Sequence, residues 1–102
     1  MAPNIDATTW VYVLIQNPGS NEQIVGQIDS ANSISFIPMF LDRDSAGYGA
    51  VHMAKEKRTK YEIQAIIFED LEKYAAQEGF ILFVIDDEGN IIDKRAPFQS
   101  ST

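Results

Sequence analysis

The stretch from Lys60 to Ile92 decides the fold: KYEIQAIIF over 60–68, EDLEKYAAQEG over 69–79 and FILFVIDDEGNII over 80–92. The first piece alternates polar and apolar residues and then runs apolar, as a strand does. In the second, Leu71, Tyr74 and Ala75 recur at helical spacing and Gly79 supplies the stop. The third is another apolar run, broken by an acidic turn that contains Gly89. Strand, short helix, strand, tight turn and strand predict a compact α/β unit.

Upstream, Trp10–Ile15 (WVYVLI) is β-branched and aromatic throughout, which predicts a strand buried on both faces. Asn17-Pro18-Gly19-Ser20-Asn21 predicts a type II turn, proline presetting φ and glycine supplying the positive φ that follows. Ile24–Asp29 and Ser33–Leu41 are two more strands. Pro38 in the second lacks an N–H and belongs at an edge, a bulge or a strand end. Asp44 or Ser45 is placed to cap a helix running to about Lys57, with Ala46, Ala50, Met53 and Ala54 on one face. Gly47 and Gly49 weaken its first turns by about 1 kcal/mol each relative to alanine.

The element order is therefore β-β-β-α-β-α-β-β. The economical packing is an α+β two-layer sandwich, a mixed or antiparallel sheet with two helices on one face. One domain spans 9–94, between a flexible N-terminal arm at 1–8 and a flexible C-terminal tail at 95–102. VYVLIQNPG, IPMFLDRDSAGYGA and FEDLEKYAAQEGF resemble the successive pieces of a short uncharacterised domain family of photosynthetic microbes. There, too, a strand and an NPG-like turn are followed by a strand leading into a helix and by an acidic helix closing on a GF-like step. Gly49 stands where that pattern has alanine. More weakly, Ser33–Ala54 is similar to SseB-type domains, in which an apolar strand precedes an acidic residue and a helix. The resemblance covers most of the chain and implies an architecture. It implies no reaction.

At 102 residues, with 45% hydrophobic and 11% aromatic content, the chain can bury a core as one domain, which excludes global disorder. It has no cysteine, so disulfides, thiolate catalysis and iron–sulfur ligation are excluded. The amino terminus lacks the layout of a signal peptide, and no apolar run approaches the roughly 18 residues of a membrane span. A soluble cytoplasmic protein is expected. The net charge of −7 argues against a nucleic-acid binder and against an anionic membrane as partner.

The charge is unevenly spread. Lys55, Lys57, Arg58 and Lys60 are four of the eight lysines and arginines, whereas Glu69–Glu72 and Asp86–Glu88 are acidic. At the end of the expected helix the cations would be favoured by the macrodipole. The same cluster is the candidate surface for an acidic partner. Trp10, opening a strand beside a polar arm, either covers the end of the core or stacks at an interface. His52 is the only histidine, and no nucleophile elbow or ligand set surrounds it in the sequence. Asp86-Asp87-Glu88-Gly89-Asn90 is oxygen-rich but lacks the spacing of a calcium loop; a hairpin turn with Gly89 at positive φ explains it. No cofactor and no metal are expected.

Two functional readings follow. In the first the protein is a non-catalytic binding or regulatory module. It associates with a protein partner or with itself through a sheet edge or the 55–60 patch, using Lys55, Lys57, Arg58, Lys60 and Trp10. The alternative is a small enzyme or metabolite-binding domain with a cleft near Tyr48 and His52. The absence of a catalytic constellation favours the first, and no catalytic residue is assigned.

Overall fold

Apolar residues at both parities of one strand require cover on both sides of a sheet, and the WVYVLI run organises the molecule in this way. The computed structural model describes residues 5–53, 55 and 57–95. Its strands are β1 Trp10–Gln16, β2 Gln23–Ile24, β3 Gln27–Asp29, β4 Ile34–Met39, β5 Tyr61–Ile67, β6 Ile81–Ile85 and β7 Ile91–Arg95. Helix α1, Arg43–Gly49, continues into a single 3₁₀ turn at Ala50–His52, and α2 is Phe68–Glu78. The α+β class and the element order are as expected, except that the strand expected at 24–29 is divided around Val25-Gly26. The division has a structural reason: β2 pairs with β1, whereas β3 pairs with β4.

The strands form an antiparallel sheet in the order β2-β1-β5 and a mixed sheet in the order β3-β4-β6-β7, in which β4 and β6 are parallel. The sheets meet where Tyr12 and Phe40 exchange two backbone hydrogen bonds of 2.8 and 2.9 Å. Two residues before Phe40, Pro38 aims its nitrogen to the same side. There β3 has already ended opposite Phe36, so no donor is missed.

Helix α2 places Phe68, Leu71 and Ala75 against Val11, Val13, Ile37, Met39, Leu82 and Val84. On the other face, Ala46 of α1 packs with Phe40, Phe83 and Ile85, and Ala50 packs with Leu14 and Val25. The helices thus divide between the two faces instead of sharing one. Both β1 and β6 are apolar at odd and even positions, so a single helical layer would leave half of that surface wet.

Helix α1 is shorter than expected and begins earlier. Its cap is Asp42, whose Oδ1 accepts the Ser45 N–H at 2.7 Å, and the chain is extended again at Met53. The Asn17–Ser20 turn is type II as expected, with Ser20 N–H donating to Asn17 O at 3.0 Å and Gly19 at φ 81°. Within the segment expected as an arm, Ile5 is buried in the α2-side core and Thr9 N–H donates to Asp6 O at 3.1 Å. Arg95 closes β7, while Ala54 and the rest of the tail, 96–102, lie outside the described residues.

Gly49 explains the close seat of α1. A Cβ on it would meet the Phe40 ring and lie 2.8 Å from the Asp86 carbonyl oxygen, whereas one on Gly47 would meet nothing. Gly49→Ala is therefore expected to lower stability by about 1–3 kcal/mol through overpacking. Gly47→Ala should raise it by up to about 1 kcal/mol through helix propensity. Thermal unfolding of the pair checks both signs; two shifts in the same direction would mean that α1 is not seated on Phe40.

Candidate functional site

The cationic cluster follows α1 in sequence but not as its last turn. Because α1 and its 3₁₀ turn stop at His52, Lys55, Lys57, Arg58 and Lys60 lie in the connection to β5, and all four are exposed. The helix dipole does not account for them; this corrects the expected placement. The Lys60 carbonyl accepts the Asn17 N–H at 2.9 Å, which ties the end of the loop to the type II turn. Arg58 and Lys60 line a depression of about 470 Å³ with Asn17, Pro18, Ser20 and Asn21. Lys55 borders a second, of about 410 Å³, with Gln16, Gln27 and Tyr61.

The loop carries two electrostatic and conformational peculiarities. Among the described residues the ion pairs are Lys73–Glu69 at 3.1 Å and Arg95–Asp93 at 3.2 Å, so none of the four clustered cations is paired. Arg58 also holds φ at 67°, a left-handed conformation that costs a residue with a Cβ about 1–2 kcal/mol. The surrounding side chains are mostly amides, such as Gln16, whose Nε2 donates to Gln23 Oε1 at 2.9 Å. Among the described residues the surface is cationic and neutral-polar; in the sequence Glu56 is interleaved with the cluster.

Trp10 does not join this site. It begins β1 opposite Ile67, whereas Gln16 at the other end of β1 is opposite Tyr61, the neighbour of Lys60. Six residues of strand separate them, about 20 Å. Trp10 is 55% exposed, so it does not close the core. Tyr48 and Val51 are also exposed, at 67% and 70%, a feature that the sequence signalled only by their lying off the Ala46–Ala50 face of α1.

The region proposed for a cleft is small. His52 lines a crevice of about 130 Å³ with Phe36, Pro38, Gly49, Met53, Ile85 and Gly89, and Tyr48 does not take part. The histidine ring instead backs onto Gly89, where an added Cβ would fall 2.7 Å from it. The acidic turn beside it is internally bonded. Asp86 Oδ1 accepts the N–H groups of Asn90 at 2.8 Å and Glu88 at 2.9 Å, and Gly89 N–H donates to Asp86 O at 3.2 Å. The backbone donors, Asn90 first, hold the Asp86 carboxyl below its ordinary value of 3.8 although partial desolvation works the other way. Gly89 takes φ 85°, as the hairpin reading requires.

A family model describing a domain of unknown function, DUF3110, matches residues 11–94. The chain belongs to this family. The match runs from the start of β1 into β7, taking in the basic loop and the acidic turn, and it accords with the resemblance to an uncharacterised domain family. No curated protein matches the chain. No solved structure matches it. Among the described residues no helix is long and apolar enough to cross a membrane, and no group of three potential ligands is placed to hold a metal ion.

Two outcomes follow for the acidic turn. Gly89→Val should cost more than about 1 kcal/mol, because a β-branched residue is forced to positive φ and against His52; an unchanged melting temperature would remove the turn's claim on that glycine. Asp86, with a folded pKa below the unfolded 3.8, contributes stability that is present above that value and lost as pH falls through the folded pKa. The loss of stability between neutral pH and about pH 3 should accordingly be smaller in Asp86→Ala than in the wild type. Equal losses would show that the carboxylate does not support the turn.

Proposed function

We propose that the domain is a non-catalytic binding or regulatory module that associates with the acidic surface of a protein partner through the loop at 55–60. The observation that carries this reading is the unpaired state of Lys55, Lys57, Arg58 and Lys60 among the described residues of a chain with net charge −7. Half of the eight lysines and arginines lie in this one loop, with Glu56 the single acid among them. The positive φ of Arg58 supports it further. Glycine would occupy that conformation at lower cost, so the side chain itself is the reason to keep arginine there.

Exposed cations of this kind act at a distance and are screened over about 8 Å at physiological salt. They accelerate encounter more than they slow dissociation. A nucleic acid or an anionic membrane is disfavoured as the partner, since most of the surface repels phosphate. The alternative of a small enzyme or metabolite-binding domain near His52 has less support. Its crevice of about 130 Å³ is below the roughly 300 Å³ of an ordinary small-molecule pocket, and among the described residues that line it none is a serine, threonine or cysteine.

The test uses a polyglutamate peptide as the acidic probe, with binding followed by fluorescence anisotropy at low and high salt. The wild type should bind at low salt and release as salt rises. A variant with all four cations changed to glutamine should bind weakly at both. Arg58→Gly should reduce binding while leaving stability unchanged or raising it by up to about 1 kcal/mol. If the four-glutamine variant binds as the wild type does, the loop is a solvated connection and the reading falls.

A further inference from the structure

Among the described residues the sheets leave four edge strands, and three of them are blunted in the ways that prevent association, β2 by its length of only two residues. β3 is only three residues long, and β7 carries Asp93, Lys94 and Arg95 together with a bulge near Ile85. β5 is different. It is seven residues long, regular throughout and bears one charge, Glu62, in Tyr-Glu-Ile-Gln-Ala-Ile-Ile. Asn17 N–H donates to Lys60 O and Phe68 N–H to Thr9 O, which fixes the phase of the β1–β5 ladder. By strand alternation, Glu62, Gln64 and Ile66 turn their backbone groups toward β1, whereas Ile63, Ala65 and Ile67 turn theirs outward. The outer edge is touched at Ile63, whose carbonyl accepts Arg43 Nη1 at 3.3 Å.

We infer that β5 pairs with β5 of a second copy of this chain, antiparallel and about a two-fold axis at Gln64. In that register Ile63 lies opposite Ala65 of the other copy, Glu62 opposite Ile66, Tyr61 opposite Ile67 and Gln64 opposite itself. Every residue of the strand is used, no like charges face each other, and the two sheets β2-β1-β5 become one six-stranded sheet. The occupant is a second copy because the strand meets its own reversal without opposing like charges, Tyr61 meeting Ile67, Ile63 meeting Ala65 and Gln64 meeting itself. The uncovered apolar residues fit the same arrangement. On the α1 side of the sheet, α1 and its 3₁₀ turn pack over the Leu14, Ile63 and Tyr61 end, leaving Trp10 and Ala65 exposed and Ile67 half-exposed. The two-fold axis brings the second copy's α1, with its exposed Tyr48 and Val51, beside that uncovered end. Arg43 occupies one lone pair of the Ile63 carbonyl, and the other accepts the incoming N–H. This pairing does not involve the basic loop, so it stands or falls separately from the proposed function.

Sedimentation velocity of the full chain from micromolar to millimolar concentration is expected to show a species of twice 11.4 kDa that resists high salt. Amide exchange should slow at Ile63, Ala65 and Ile67 as concentration rises, while Gln64 and Ile66, bonded to β1, stay protected throughout. The Gln64 amide donates to Glu22 Oε2 at 3.1 Å, so Gln64→Lys is made on a Glu22→Gln background; it sets two cations against each other on the axis and should give a folded monomer. Ala65→Pro, which removes an outward donor without touching the β1 ladder, should do the same; should it not fold, Gln64→Lys alone carries the result. The four-glutamine variant of the basic loop should still dimerise. A monomer at every concentration, with rapid exchange at Ile63 and Ala65, overturns the inference. So does a dimer that survives Gln64→Lys, or one that dissolves in salt.

Discussion

The pair of hydrogen bonds between Tyr12 and Phe40 is the constraint on which the rest of the structure depends. Apart, the three-stranded and four-stranded sheets would leave the facing edges of β1 and β4 unpaired at Tyr12 and Phe40. By joining β1 to the end of β4, the bridge makes them one surface at one end and lets them part at the other, where β2 and β3 divide their allegiance. Phe40 contributes doubly. Its backbone makes the junction, and its fully buried ring forms the floor under α1. Burial of a phenylalanine stabilises by about 1.5–3 kcal/mol, and truncation of one in a closed core costs more because a cavity remains.

The seat of α1 is set by the same ring. Gly49 must approach both Phe40 and the Asp86 carbonyl, which leaves no room for a side chain, and glycine is a poor residue with which to continue a helix. The helix ends, the chain becomes extended at Met53, and eight residues later β5 begins. The cationic cluster falls in this interval. Its placement off the helix removes the dipole as a partner, since a helix continuing to Lys57 would have aligned the lysines with it. The acidic turn is held from the opposite side by its own carboxylate, and His52 fills the space over Gly89. The histidine packs directly against that glycine.

The two ends of the β1–β5 ladder carry different physics. At the Gln16–Tyr61 end lie amides and cations, whose interactions weaken with salt and act before contact. At the Trp10–Ile67 end lie an aromatic ring and aliphatic residues, which contribute only once water is removed between touching surfaces. A single antiparallel pairing joins these ends at a fixed separation, so the domain can present both surfaces without one competing with the other.

Much of the fold was legible in the sequence because strands and helices announce themselves through local periodicity. WVYVLI required burial on both faces, Leu71 and Ala75 marked the buried stripe of α2, and the Pro18-Gly19 and Gly89 turns follow from φ alone. The cationic and acidic clusters, the absence of cysteine and the single histidine were equally plain, since composition does not depend on folding. What the sequence could not determine was anything requiring two distant segments at once. That Gly49 seats α1 against Phe40 and the Asp86 carbonyl, that the helices take opposite faces and that the 24–29 strand changes partners all depend on such contacts. The Asp42 cap is local, but which of two nearby acids takes it is not written in spacing alone. The same holds for the candidate surfaces. The charge of Lys55–Lys60 is a local property, but its freedom from ion pairs among the described residues and its distance from Trp10 exist only once β1 and β5 are paired in register.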